Sequence, residues 1–150
     1  MRISAKADYA IRAMTELAAA DGTVKAETLA NAQGIPLKFL LNILVELKRP
    51  GLVRSQRGSE GGYQLGRAAS EVTLADVIRA VEGPLAQVGD FRPEELSYVG
   101  TAESLQVVWV AVRANLRAIL ESVTLANLVS GRLPASVRKA ANVSDSWTSR

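Results

Sequence analysis

Apolar residues recur every three or four positions near the start of the chain. Ala7, Ile11, Met14 and Ala18 form a stripe with Ala10 and Leu17 beside it, and this spacing predicts a helix over 4–20. Ser4 stands where an N-cap belongs, and Asp21-Gly22 where the helix stops. A second helix is expected over 26–32, ended by Gln33-Gly34. Ile35-Pro36 leads into a third over 37–48, ended by Pro50-Gly51. Two short helices joined by a glycine-containing turn form a helix-turn-helix. Residues 52–56 and 63–65 are β-prone and flank the glycine-rich stretch 57–62, so they read as a hairpin, placed where a wing would be. A fourth helix over 74–81 places Leu74, Val77, Ile78 and Val81 on one face, with Thr73 and Asp76 spaced as a capping box.

Residues 83–102 hold Gly83, Pro84, Gly89, Pro93 and Gly100, and predict a loop with one helical turn near 93–96. A long helix follows over 101–122. Leu105, Val108, Trp109, Val112, Leu116, Ile119 and Leu120 form a stripe too wide to be left in water, so they are the expected dimerisation residues. A short turn over 124–129 stops at Gly131, and the tail beyond lacks periodicity. The expected fold is mainly α with a small β-hairpin: a winged helix-turn-helix plus a long C-terminal dimerisation helix. The expected organisation is a DNA-binding domain at 1–83, a loop at 84–102, a dimerisation helix with its following short helix at 101–131, and a flexible tail at 132–150.

Composition narrows the chemistry. The chain has neither cysteine nor histidine, which removes disulfides, thiol nucleophiles, Cys/His zinc sites and imidazole bases. No phosphate-binding glycine motif opens a helix after a strand, and no nucleophile–base pair is available, so an enzyme is not expected. No run of 18 apolar residues occurs and no helix pairs an apolar face with a basic one, so no membrane role is expected and the chain is placed in the cytoplasm. Residues 1–70 carry ten Lys/Arg against six Asp/Glu, whereas 71–150 carry eight against nine. The basic excess therefore lies in the N-terminal half, where it would favour a polyanion such as double-stranded DNA.

On the third helix Phe39, Leu40, Ile43, Leu44 and Leu47 supply the inward face. Lys38, Leu41, Asn42, Val45 and Arg49 lie opposite. Asn42 offers the donor and acceptor that pair with adenine, Lys38 suits a phosphate or a guanine, and Leu41 and Val45 suit thymine methyl groups. In the wing, Arg57 suits a narrow minor groove, and the nearby glycines allow close backbone approach to a phosphate. Arg2, Ser4 and Lys6 lie at a helix start, where phosphates are held.

The chain resembles the Rrf2 family of bacterial winged-helix transcription regulators. The likeness runs from MRISAKADYAIRAM at 1–14 through GLVRSQRGSEGGYQL at 51–65 and VTLADVIRAVEGP at 72–84 to VTLANLVSG at 123–131. It implies a homodimer that binds a two-fold related operator, with recognition helices about 34 Å apart. It also implies a DNA-facing set of Arg2, Ser4, Lys6, Lys38, Leu41, Asn42, Arg57, Ser59, Gly61 and Gly62; within it Leu41 and Asn42 come from helix geometry. Repression is the default that the resemblance carries. Iron–sulfur members have three cysteines in the loop before the long helix; here that loop has none, which implies the cluster-free branch and no cofactor. Asp8 matches the position of a cluster ligand in some members, but its own spacing to Arg12 reads as an i,i+4 ion pair. With no cluster, a small-molecule effector or a protein partner is left to set DNA affinity, most naturally at 85–99, where Phe91 and Tyr98 can line a pocket or anchor the loop. The alternative is a regulatory interaction protein of the same fold, acting through a protein partner with weak DNA binding. In that case Arg57 and Lys38 would be dispensable.

Overall fold

The computed structural model describes residues 2–143 and 146–149. Met1 of the first motif, and residues 144, 145 and 150 of the expected tail, lie outside the described residues.

Helix α1 (Ala5–Ala19) begins at Ser4, whose side chain accepts a 3.0 Å hydrogen bond from the Ala7 N–H. Ala7, Ala10, Ala13, Met14 and Leu17 are buried on it. Three of those five are alanines, which lets other helices approach closely, and α1 is the rod on which the fold is assembled. Helix α2 (Ala26–Gln33) ends at Gly34, which takes φ +60° and returns its N–H to the Ala30 carbonyl. That left-handed residue costs a glycine little and turns the chain sharply into α3 (Leu37–Lys48). Leu40, Ile43, Leu44 and Leu47 of α3 are buried. Phe39 is not: it was expected inward, but it is 63% exposed. It lies one position off the Leu40–Leu44–Leu47 line, so the turn of the helix carries its ring toward α1's outer edge instead of into the core.

Strands β1 (Val53–Gln56) and β2 (Gly62–Leu65) pair antiparallel, with Val53 opposite Leu65 and Gln56 opposite Gly62. Val24, just before α2, adds a bridge to Tyr63 through two reciprocal 2.8 Å hydrogen bonds. The wing is thereby fastened to the helix-turn-helix at its base. Helix α4 (Leu74–Glu82) carries the expected capping box, with the Asp76 N–H donating to Thr73 Oγ1 at 3.2 Å and the Thr73 N–H to Asp76 Oδ2 at 3.0 Å.

The loop after α4 contains 3₁₀ turns at Pro93–Glu95 and Gly100–Ala102. The second turn delays the long helix, so α5 spans Leu105–Ser122 rather than starting at 101. Helix α6 (Leu125–Ser130) has a second capping box, between Thr124 and Asn127. The cap segments of α4 and α6 pair with each other: Leu74 N–H donates to Val123 O at 2.9 Å, and Leu125 N–H to Val72 O at 3.0 Å. Leu125 consequently sits fully buried in the core with Met14, Leu44 and Val72, so α6 packs into the N-terminal unit. The stretch expected to be a flexible tail holds one more helix, α7 (Ala135–Ala141), entered from Pro134. None of its residues is buried, which explains why the sequence carries no periodic apolar signal there. Among the described residues no helix is long and apolar enough to cross a membrane.

Candidate nucleic-acid interface

Burial on α3 fixes which side it presents. With Leu40, Ile43, Leu44 and Leu47 inside, Lys38, Leu41, Asn42, Val45 and Arg49 are left exposed on the opposite side. Leu41 and Val45 are 41% and 61% exposed, a large apolar area for a surface helix. The start of α1 runs alongside. Ala5, Lys6 and Tyr9 on α1, with Phe39, Asn42 and Glu46 on α3, line a groove of about 410 Å³. The fold thus brings Lys6 and Asn42, named from different elements of the sequence, to one groove.

Lys6 is not a free cation there, because its Nζ lies 2.8 Å from Glu46 Oε2. Asp8 and Arg12 form the expected i,i+4 pair at 3.2 Å, and the Arg12 guanidinium also stands 5.0 Å from the centre of the Tyr9 ring. The other two N-terminal candidates face elsewhere. Ser4 accepts from Ala7 and donates its hydroxyl hydrogen to Glu82 at the end of α4, so its donor is already in use. Arg2 lines a cleft with Glu82 and Leu85, away from the α1–α3 groove.

On the wing, Arg57 and Ser59 are exposed. The two glycines after them shape the wing itself. Gly61 is buried, and a Cβ there would lie 2.3 Å from the Gln56 carbonyl oxygen. Its N–H donates to Gly58 O at 3.0 Å. Gly62, at φ +151°, would put a Cβ 2.6 Å from Val24 O. Their missing side chains let the chain approach itself, closing the wing tip and seating it on Val24, and so hold Arg57 in place. Lys48 Nζ donates to Ser55 Oγ at 2.7 Å and joins the end of α3 to β1. Neither this bond nor the Glu46 partner of Lys6 is announced by local spacing, since each depends on how separate elements dock.

The expected dimerisation set divides. Trp109 and Val112 line a pocket with Ala86, Val88 and Pro93 of the chain's own loop. Leu120 packs against Ala7, Ala75, Ile78 and Leu85, and Leu105 is half-buried. Val108 and Ile119 are exposed, with Val107 and Ala111 extending them and Val112 and Leu116 at the edge. No residue of α5 is fully buried, although the helix is 18 residues long and mostly apolar.

Residues 3–131 match the family model described as Rrf2, iron-dependent transcriptional regulator. A Mycobacterium tuberculosis protein (strain H37Rv), named provisionally as an HTH-type transcriptional regulator, is 51% identical over 144 residues, covering 95% of this chain and 89% of its own. The HTH-type transcriptional regulator CymR of Bacillus subtilis is 32% identical over 132 residues, covering 87% of this chain and 91% of its own. The solved structure of CymR, the global cysteine regulator of B. subtilis, superposes with TM-score 0.74 at 30% identity, over 87% of this chain and 98% of that one. An IscR structure from T. potens gives 0.71 at 27% identity, over 93% and 96%.

The model's description names iron, so the donor set matters. The chain has no cysteine to supply thiolates, and among the described residues no three His, Cys, Asp or Glu side chains gather to hold a metal. In the loop at the cluster position, Glu94 is held by Arg113 and Glu95 accepts from the Arg92 N–H. These residues do not fit a thiolate-ligated cluster.

Proposed function

The chain belongs to the Rrf2 family of DNA-binding transcriptional regulators and is not an enzyme; from that premise we propose that it works as a cytoplasmic homodimeric repressor on a two-fold related operator. The observation that carries this reading is the exposed face of α3. A helix docked by three buried leucines and one isoleucine, yet leaving Lys38, Leu41, Asn42 and Val45 in water, has the mixed polar and apolar surface that base edges in a major groove match. Asn42 reads a base. Lys38 and Lys6 supply positive charge toward phosphates, and Arg57 on the wing reaches the flanking minor groove.

The dimer reading rests on α5. Val107, Val108, Ala111 and Ile119 make an apolar strip that runs along a helix about 27 Å long. A second copy of the same helix, crossed over it, would remove that strip from water, and two-fold symmetry would set the spacing of the two α3 helices.

The test is binding of the purified chain to a pool of fragments from its own genome at several salt concentrations, with Arg57→Ala alongside. Enrichment of a two-fold related sequence, weakened in the variant, is expected. If no sequence is enriched even at low salt, the operator reading fails, and the same fold acting through a protein partner takes its place.

A further inference from the structure

Four arginines converge on one pocket well away from the α1–α3 groove. Arg79 comes from α4, Arg92 from the loop, and Arg113 and Arg117 from successive turns of α5, with Pro84 and Leu85 completing the wall of a space of about 420 Å³. Guanidinium groups remain charged at any physiological pH. Two carboxylates answer them. Glu121 is shared by Arg79 and by Arg117, the latter at 3.1 Å, and Glu94 pairs with Arg113 at 2.6 Å. Arg92 forms no ion pair among the described residues. Four guanidinium groups against two carboxylates leave the pocket a net surplus of two positive charges, with Arg92 the one outside ion-pair contact among the described residues.

A second observation points the same way. The Arg113 side chain is only 19% exposed, and its Nη1 is bound by both oxygens of Glu94, so its charge stands at the pocket wall partly removed from water. Charge-assisted bonds are strongest in such partly desolvated surroundings. The fork geometry of arginine matches the paired oxygens of carboxylates and phosphates. The space exceeds what a bare inorganic anion fills, and Pro84 and Leu85 suit a short carbon skeleton. We infer that this pocket is an effector site for a small organic dianion, carrying its charge on phosphate or carboxylate oxygens.

The pocket joins the two halves of the molecule. Helix α4 packs on α1 and α3, and α5 carries the apolar strip. Glu121 ties Arg79 of α4 to Arg117 of α5. A dianion competes with Glu121 for both, loosening that tie and replacing it with its own. On the reading of α5 as the dimer helix, this alters the angle between the halves and so the spacing of the two α3 helices. This second step rests on the proposed function; the binding site itself does not.

The experiment is calorimetric titration of the full chain, without DNA, using inorganic phosphate, succinate and acetate at matched ionic strength. Saturable binding of phosphate or succinate at millimolar concentration or below is expected, with acetate about tenfold weaker or worse. The tighter of the two tells whether the ligand is a phosphate ester or a dicarboxylate. Arg92→Gln removes a guanidinium that makes no ion-pair contact and acts on Glu94 only through space, so it should weaken binding about fivefold while moving the melting temperature little. Glu121→Gln removes the internal competitor and should tighten binding, an opposite sign that general damage to the fold does not give. Absence of saturable binding by either dianion, or binding indifferent to both substitutions, overturns the site. If the tighter dianion binds but leaves affinity for the enriched operator unchanged, the regulatory step is overturned and the site stands; if no operator exists, the titration still reads the site.

Discussion

Lys6 Nζ and Glu46 Oε2 lie 2.8 Å apart across the groove between α1 and α3, so the lysine best placed for a phosphate at that groove is held by a carboxylate. Both side chains are partly exposed, and such pairs contribute little to stability, about 0–1 kcal/mol. Their larger effect is on charge. On the proposed reading of this groove as DNA-facing, the Glu46 carboxylate repels phosphate and draws Lys6 away from it. Glu46→Gln should therefore raise affinity several-fold for specific and random DNA alike, and steepen the dependence of log K on log salt by up to about 0.9. Salt titrations of both proteins on an operator and on scrambled DNA measure this. An unchanged slope would show that Lys6 does not reach a phosphate.

Asn42 differs from Lys6 in kind. It lies in the same groove but carries no charge, and only its amide can tell one base from another. Asn42→Ala should cost about 1–3 kcal/mol on the enriched operator and relax preference at a single base pair per half-site. The salt slope should not change. Binding to an operator series with each position substituted checks this; equal loss on operator and random DNA would make Asn42 a positioning residue rather than a reader.

The sequence made the helices, hairpin and caps of the N-terminal unit legible, because each rests on local signals. Thr73 with Asp76, Gly34 after α2 and the Leu40–Leu44–Leu47 line act within a few residues of themselves. It also placed Asn42 and Lys38 outward, since helical geometry alone decides that once the inner face is known. What escaped it depends on docking. Phe39 was expected inside because it is large and apolar, but one step around the helix puts it outside the core. Glu82, seventy-eight residues from Ser4 in sequence, takes its hydroxyl hydrogen, a partner that no local spacing announces. The apolar stripe of α5 was read as one surface. One edge packs on the chain's own loop 84–99 and the other is left exposed, a division that only the course of that loop decides.

Gly61 and Gly58 separate conformational strain from steric closure within one loop. A methyl at Gly58 meets no atom within 4 Å, though its φ of +105° is unfavourable for alanine. A methyl at Gly61 would collide with backbone, with Gln56 O at 2.3 Å and Gly58 O at 2.8 Å, so the loop must open. Gly61→Ala should destabilise the fold by about 1–3 kcal/mol. It should also lower DNA affinity at least as much as Arg57→Ala, because it displaces Arg57, while helical circular dichroism stays unchanged at room temperature. Gly58→Ala should strain the loop without forcing it open, and so affect binding less. Urea denaturation and operator binding of the two variants together decide the point. If Gly61→Ala binds DNA normally, the wing tip takes no part in recognition.

Glu121 sets the acid limit of the α4–α5 junction. Hydrogen bonds from Arg79 first and Arg117 next hold its carboxyl below the ordinary value of 4.5. Glu94 is also lowered, by a backbone hydrogen bond first and by Arg113 after it. A carboxyl whose folded-state pKa is depressed adds stability that is fully present above its unfolded value. That stability disappears as pH falls through 4.5 toward the lowered value, because the unfolded chain then takes up the proton more readily than the folded one. The wild-type melting temperature should therefore drop as pH falls below about 4.5 by more than that of Glu121→Gln, whose amide cannot titrate. The two curves should be farthest apart near neutrality and converge at the acid end. Melting curves of both proteins from neutral pH to pH 3, at constant ionic strength, give the comparison. High salt should shrink the gap without abolishing it, since the pair is partly exposed to solvent. A constant difference between the two proteins at every pH would mean that Glu121 titrates alike in folded and unfolded chains, and that its bonds to Arg79 and Arg117 do not tie α4 to α5.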